Sequence, residues 1–303
     1  MARRIYNLKP DTKDLRDKIF RSTQFKPKTA LPRVVDLRSG CSGVVDQGEL
    51  GSCTANAIAS GLREYWENRA GKHTLLSRLW LYWNERTFEG TVNEDSGAYI
   101  RDGMKVLQKM GCAPEIDWPY DITKFRQTPP AKSSTDAGQY IIAEYHRVTD
   151  LIALKSALAV GFPVVIGIKV YESFESDQVA QTGIVPLPKR GEQLLGGHAV
   201  LAVGYKDDVK IKGQGVVICR NSWGEGWGDK GYFYLPYRYF VRYVNRYVDR
   251  KIGALKLLAA AWSSWALITI RGIVICAEKL NSGRGINSYE NPWMPENAND
   301  GLC

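Results

Sequence analysis

Across residues 54–68 the apolar side chains Ala57, Ile58, Leu62, Tyr65 and Trp66 recur at intervals of three and four, which predicts a helix with one buried face. Ser52, just ahead of it, has the chemistry of an N-cap. Residues 77–86 and 99–110 predict two further helices, the second closed by Gly111. Residues 121–138, with Pro129-Pro130 and many small polar side chains, predict a loop or crossover. Beyond it, 151–160 predicts a helix, while the apolar runs 164–170, 199–204, 216–220 and 231–235, bounded by Gly or Pro, predict strands. Helices fill the first half and strands the second, so the pattern predicts an α+β chain of two lobes, one helical and one sheet-based.

The ends differ from this middle. Residues 1–31 are rich in Lys, Arg, Asp, Thr and Pro and predict an arm with little core of its own, ending near Leu31-Pro32. After Pro236, Tyr and Arg alternate before an apolar stretch whose longest uncharged run, 257–270, is fourteen residues. A membrane-spanning helix needs about twenty, so a docking or core segment is expected there, with an interfacial membrane helix as the alternative. The last stretch, 283–303, is full of Asn, Gly and Pro and reads as peripheral. The expected organisation is therefore an arm over 1–31, a main domain over 32–270 and a tail over 271–303.

Composition is that of a soluble globular chain of 303 residues, 44% hydrophobic and 24% charged. The net charge of +9 is concentrated at +6 in residues 1–31 and +5 in residues 237–256, which leaves the body slightly acidic. A nucleic-acid binder usually carries its basic stripe on the folded body, so that class is disfavoured, as is an anionic-membrane role. Six cysteines, at 41, 53, 112, 219, 276 and 303, form no C-x-x-C pair, which disfavours a zinc site or a dense disulfide framework. No secretory h-region follows Met1 and no N-x-[ST] acceptor occurs, so the compartment stays open with a reducing one preferred.

Three segments carry chemistry. Cys53, in Gln47-Gly48-Glu49-Leu50-Gly51-Ser52-Cys53, falls in the first turn of the predicted helix, where the helix dipole favours thiolate over thiol. Taken alone it could equally be a small buried hydrophobe. His198 follows Gly196-Gly197 at the start of an apolar strand, where glycines let another backbone approach. The other histidines, His73 in a polar turn and His146 in a mixed segment, have no such surroundings. Asn221, in Arg220-Asn221-Ser222-Trp223-Gly224, ends a predicted strand. Its carbonyl could accept an imidazole N–H and fix which ring nitrogen is free, screened by Trp223, or it could simply form an Asx turn.

Together the segments resemble the papain and cathepsin family of cysteine peptidases, in which His and Asn lie about 130–150 residues past the cysteine. Here His198 follows Cys53 by 145 positions and Asn221 follows His198 by 23. The resemblance runs from Leu31-Pro32 to Leu235. It implies a papain-like fold of a helical N-terminal lobe and a β-sheet or barrel C-terminal lobe, with the active site in the cleft between them. It also implies Cys53 as nucleophile, His198 as general acid/base, Asn221 as the orienting amide, Trp223 as its cover, and Gln47 as an oxyanion donor beside the Cys53 N–H. Gly97 resembles the glycine that pairs with the substrate backbone. Gly167, Gly196 and Gly197 stand near the pocket for the second residue before the cut, expected to be roomy.

The departures matter as well. Leu50 stands where the family usually has a half-cystine, Thr54 where it usually has Trp, and Glu94-Asp95-Ser96-Gly97-Ala98 lacks the partner cysteine. This points to a disulfide-poor branch of bacterial or viral type. No His-His pair lies between Cys53 and His198, so an endopeptidase is the default expectation. The implied reaction is acyl transfer to Cys53 and hydrolysis of the thioester, on protein or peptide substrates, with no metal and no cofactor. Competing classes are a catalytically silent papain-like binding module and an acyl transferase or ligase using the same Cys-His pair. The arm before the domain is expected to lie across the cleft as an intramolecular inhibitor, making the chain a zymogen.

Overall fold

In the computed structural model, which describes residues 4–12, 14–21, 30–208, 210 and 214–243 and the backbone of strand Ile273–Ala277, the predicted first helix is longer and less regular than its pattern suggests. It is a continuous run of α1 (Cys53–Ala55), a π-helical stretch (Asn56–Arg63) and α2 (Glu64–Arg69). Nearly every residue of it is buried, including Arg63, Glu64 and Glu67, so it has no solvent face of the kind an amphipathic surface helix shows. Buried charges along it find partners: Arg63 pairs with Glu67 at 2.6 Å, and Glu64 accepts the Leu76 N–H at 2.9 Å. Gly61 lets the run approach the sheet, since a Cβ there would already stand 3.3 Å from Leu201. Ser52 does not cap the helix with its side chain. Its hydroxyl pairs instead with Tyr120 Oη at 2.6 Å and accepts from Asn56 Nδ2 at 3.0 Å.

The helical lobe is completed by α3 (Arg78–Phe88), capped by Ser77 Oγ accepting from the Trp80 N–H, and α4 (Ile100–Lys109). Gly111, at φ 85°, provides the left-handed turn after α4. The expected loop over 121–138 contains a short helix, α5 (Ala131–Ala137), started by Pro130, whose fixed φ suits a helix entry. Then come β2 (Glu144–Arg147), α6 (Leu151–Ala159), β3 (Val164–Tyr171), α7 (Asp177–Thr182), β4 (Leu194–Asp207), β5 (Gly215–Arg220), β6 (Tyr232–Pro236) and α8 (Tyr237–Tyr243).

These strands, with β7 (Ile273–Ala277), form an antiparallel sheet in the order β2-β7-β3-β4-β5-β6, and β1 (Val34–Asp36) pairs with β4. Strand β7 lies beyond residue 270, so the sheet takes in part of the segment expected as a tail. The apolar run 257–270 and the stretch 283–303 lie outside the described residues. Among the described residues no helix is long and apolar enough to cross a membrane, and no cluster of His, Cys, Asp or Glu could hold a metal ion.

The architecture is α+β with two lobes, and the alternation of the strands explains how they join. Val165, Ala199, Leu201 and Val203 point into a core shared with the helices, alongside Ile58, Leu62 and Trp80. Val164, Ile166, Ile168 and Val200 point the other way, into a second core with Leu154, Phe233, Tyr239 and Phe240. The arm contributes to both cores, which its composition did not foretell. Leu8 enters the first and Phe20 the second. After crossing the lobe junction the arm pairs with β2, the Phe20 N–H donating to Arg147 O at 2.9 Å and the Arg147 N–H to Lys18 O at 2.7 Å.

Candidate active site

Cys53 is the first residue of α1, presented by the loop 46–52, and its side chain is completely buried. The loop is pinned to the strand that ends at Arg220. The Gln47 N–H donates to Ser222 O at 2.9 Å, and Ser222 Oγ donates to Gln47 Oε1 at 2.6 Å. Gln47 Nε2 donates to Leu50 O at 2.9 Å, which leaves the second amide hydrogen uncommitted by that bond. Tyr120 Oη, donating to Gln47 O at 2.9 Å, holds the loop from the helical side. Burial pushes the Cys53 thiol up to about 12 despite the helix terminus and the backbone N–H of Ala199, both of which favour the thiolate.

That N–H belongs to the residue after His198, so the thiol and the histidine strand meet. His198 on β4 is also fully buried. Its Nε2 lies 2.8 Å from Asn221 Oδ1, which also accepts the Ser222 N–H at 2.9 Å. An amide oxygen can only accept, so Nε2 carries the hydrogen and the neutral ring has its lone pair on Nδ1. Nδ1 has no hydrogen-bond partner among the described residues. The Trp223 indole stacks on the imidazole at 5.1 Å between centroids, 24° from parallel, and shields the amide bond from water. Burial, with a smaller contribution from the positive charge of Arg4, lowers the imidazole to about 4 against the opposing pull of Asn221. Thiol and imidazole are therefore both held neutral in this state.

The arm lies against the histidine side of this site. The Gly197 N–H donates to Tyr6 O at 3.3 Å, the Leu8 N–H to Gly197 O at 3.2 Å and the Lys9 N–H to Ala98 O at 3.1 Å. The backbone of residues 6–9 thus lies along the cleft between the lobes, in parallel bridges to Gly197 and Tyr99. Tyr6 stands edge-on to His198 at 6.0 Å, its hydroxyl bonded to Glu175, and Arg4 lies 5.0 Å from the Trp223 ring centre. Glycines make the close approach possible. At Gly97, whose φ is +66°, a Cβ would fall 2.0 Å from Asn7 O, and at Gly196 it would fall 2.2 Å from Tyr6 O.

The sequence profile of the papain family cysteine proteases matches residues 31–242. This chain belongs to that family. An uncharacterized peptidase C1-like protein of Acanthamoeba polyphaga mimivirus is 41% identical over 254 residues, covering 76% of this chain and 80% of the viral one. A cathepsin L-like peptidase of Aedes aegypti is 32% identical over 213 residues, covering 67% of this chain and 58% of its own length. Among solved structures, the papain-family fold recurs in xylellain, a cysteine protease from Xylella fastidiosa. It superposes with a TM-score of 0.73 at 35% identity, covering 90% of this chain and 96% of that one. These likenesses make the chain a cysteine peptidase.

Within the papain-family fold, Cys53, Gln47, His198, Asn221 and Trp223 come together at the lobe junction, and Gly97, Gly196 and Gly197 line the cleft. Gly167 is buried in β3 opposite Ala199, on the same face of the strand as Val165, which points toward the helical lobe. Among the described cysteines, Cys41, Cys53, Cys112 and Cys219 are all unpaired thiols. Sequence reasoning missed Ser222 and Tyr120, which hold the Gln47 loop from its two sides, and Glu85, which accepts the Thr54 hydroxyl at 2.6 Å behind the Cys53 turn. None carries a local signal, since each acts through a contact between segments distant in sequence.

Proposed function

We propose that this papain-family protein is an endopeptidase held latent by its own arm, with Cys53 as nucleophile, His198 as acid and base, Asn221 as the orienting amide and Gln47 as an oxyanion donor. The bond from His198 Nε2 to Asn221 Oδ1 at 2.8 Å carries the reading, because it leaves Nδ1 bare at the strand that touches the thiol. Once the arm departs, water re-enters the cleft and the proton can move from Cys53 to His198, giving a thiolate–imidazolium pair. The thiolate forms a C–S bond with a substrate carbonyl, whose oxygen becomes an oxyanion facing Gln47 Nε2 and the Cys53 N–H. The C–N bond then breaks as His198 gives its proton to the leaving amine. Water adds to the thioester with His198 taking its proton, and the acid departs as Cys53 regains its hydrogen.

The test is mass spectrometry of the full chain and of a chain beginning at Pro10, each treated with a thiol-directed epoxide. The expected result is a single adduct on Cys53, formed much faster in the shorter chain. Equal rates would reject latency, and labelling of Cys41, Cys112 or Cys219 in place of Cys53 would reject the nucleophile. Cleavage of peptides blocked at both ends would establish endopeptidase action, and a requirement for a free terminus would reject it.

A further inference from the structure

The arm is a peptide lying in the cleft, and its side chains report the chemistry of the places they occupy. Moving along it, Tyr6 stands at His198 and Trp223, Asn7 at Gly51 and Gly97, Leu8 at Gly197, and Lys9 at Ala98 and Tyr99. The order runs outward from the reacting groups, so the place of Lys9 lies one beyond the apolar niche of Leu8. Within residues 4–9, both Arg4 and Lys9 meet carboxylates, but on different terms. Arg4 pairs at 3.2 Å with Asp46, whose side chain is 53% exposed, and such contacts are screened by water. Lys9 Nζ lies 2.6 Å from Glu89 Oε2, and that side chain is only 5% exposed with the arm in place.

The niche around Lys9 is built from the body of the enzyme. Glu89 follows the end of α3, and its Oε1 accepts the Tyr99 N–H at 2.9 Å. One carboxylate oxygen is thus fixed by the backbone at the start of α4, and the other meets Lys9 in the cleft. Ser96 Oγ accepts from Lys9 Nζ at 3.1 Å, and the Tyr99 ring centre lies 5.7 Å from the same nitrogen. Carboxylate, hydroxyl and aromatic face around one point are a recognition set for an ammonium or guanidinium group.

We infer that Glu89, with Ser96 and Tyr99, makes the cleft select substrates bearing lysine or arginine at the third residue before the cut. This deepens the peptidase reading and rests on it. The place of Leu8 corresponds to the second residue before the cut, and Glu89 serves the next place outward. The arm uses the same niche with its own Lys9 and so competes with a basic substrate for the site.

The test uses the full chain carrying Leu8→Glu, which puts a charge into the apolar niche and unseats the arm while leaving Glu89 untouched. Internally quenched peptides blocked at both ends differ only at the third residue before the cut, as lysine, norleucine or glutamate. Lysine is expected to exceed norleucine in kcat/KM by about 10- to 100-fold, the range for a hydrogen bond to a charged group, with glutamate lowest. Glu89→Gln in the same background should equalise lysine and norleucine, and Glu89→Lys should favour glutamate. These are ratios within one preparation, so a loss of folded protein does not alter them. Cleavage without a lysine preference, or a preference that survives Glu89→Gln, overturns the inference alone. No cleavage of any peptide, with iodoacetamide still alkylating Cys53, overturns the peptidase reading and this inference with it.

Discussion

Replacing Asp17 with asparagine should weaken the whole fold, although Asp17 belongs to a segment that composition marks as a loose arm. Its carboxylate accepts from Arg101 Nε at 3.1 Å and Nη2 at 2.8 Å on α4, and from Arg147 Nε at 2.6 Å on β2. The side chains of Arg101 and Arg147 are each 7% exposed and that of Asp17 9%. Removing one partner of a buried ion pair costs about 3–5 kcal/mol, because the other charge is left without compensation. Two neighbours soften the loss here. Asp11 stands 3.6 Å from Arg147, and Thr12 O accepts from Arg101 Nη2 at 2.7 Å. The lower end, about 3 kcal/mol, is expected, a fall of roughly 6–12 °C in Tm for a domain of this size. Differential scanning calorimetry of the full chain measures it, with Asp14→Asn as the control, since Asp14 pairs with the highly exposed Arg16 and should leave Tm unchanged. A fall for Asp17→Asn no larger than that of the control would refute the argument. The same reasoning divides the arm into a plug over residues 4–9 and a strap over 11–20. A chain beginning at Pro10 should lose only the burial of Leu8 and the Lys9–Glu89 pair, whereas one beginning near Leu31 should also lose the pairing of both buried arginines and the burial of Phe20.

Other outcomes follow from the site. Because burial lowers His198 to about 4 from an ordinary 6.5, its neutral form stabilises the closed state above pH 6.5, and that contribution is lost as pH falls toward 4. Thermal melts across this window should therefore show a steeper acid loss in the parent than in His198→Gln, and parallel curves would count against it. In the opened enzyme, Asn221→Ala should lower kcat about 10- to 100-fold by freeing the imidazole, and unchanged kinetics would show that the bond does no orienting. Gln47→Ala should cost about 10²–10³ in kcat, with a smaller loss speaking against an oxyanion role. At Gly97, alanine meets the Asn7 carbonyl and is strained at φ +66°, so Gly97→Ala should raise Cys53 alkylation in the full chain while lowering peptide turnover. An unchanged alkylation rate would mean that the arm does not depend on that contact.

The two-lobe α+β architecture was legible because helix and strand periodicities fall in separate halves of the chain. The strands over 164–170 and 216–220 lie within a residue of their expected bounds, since Gly and Pro punctuate them. Cys53, His198 and Asn221 were singled out by the resemblance of their three segments to the papain and cathepsin family, and the structure brings those segments together. What escaped was anything decided by tertiary partners. The helix over 131–137 is short and polar, so its pattern is that of a loop, and it exists because Pro130 starts it and Ser133 and Ala137 pack inward. The ordering of the arm escaped for the same reason. Asp11 and Asp17 look like solvated charges until two arginines more than eighty residues downstream are brought to them. Glu89 likewise reads as an ordinary helix-end acid until Tyr99 and Lys9 close on it.

Cys53 and His198 are carried by elements that meet in the core shared by helices and sheet, and Asn221 follows the neighbouring strand. A polypeptide still being synthesised has its sulfur long before its imidazole, and acquires the amide that steadies the imidazole later still. On the proposed roles, such a half-made chain cannot digest its neighbours. By the time the last of the three emerges, residues 4–9 have long been available to fill the groove, so on the same proposal the order of synthesis places the safeguard ahead of the hazard.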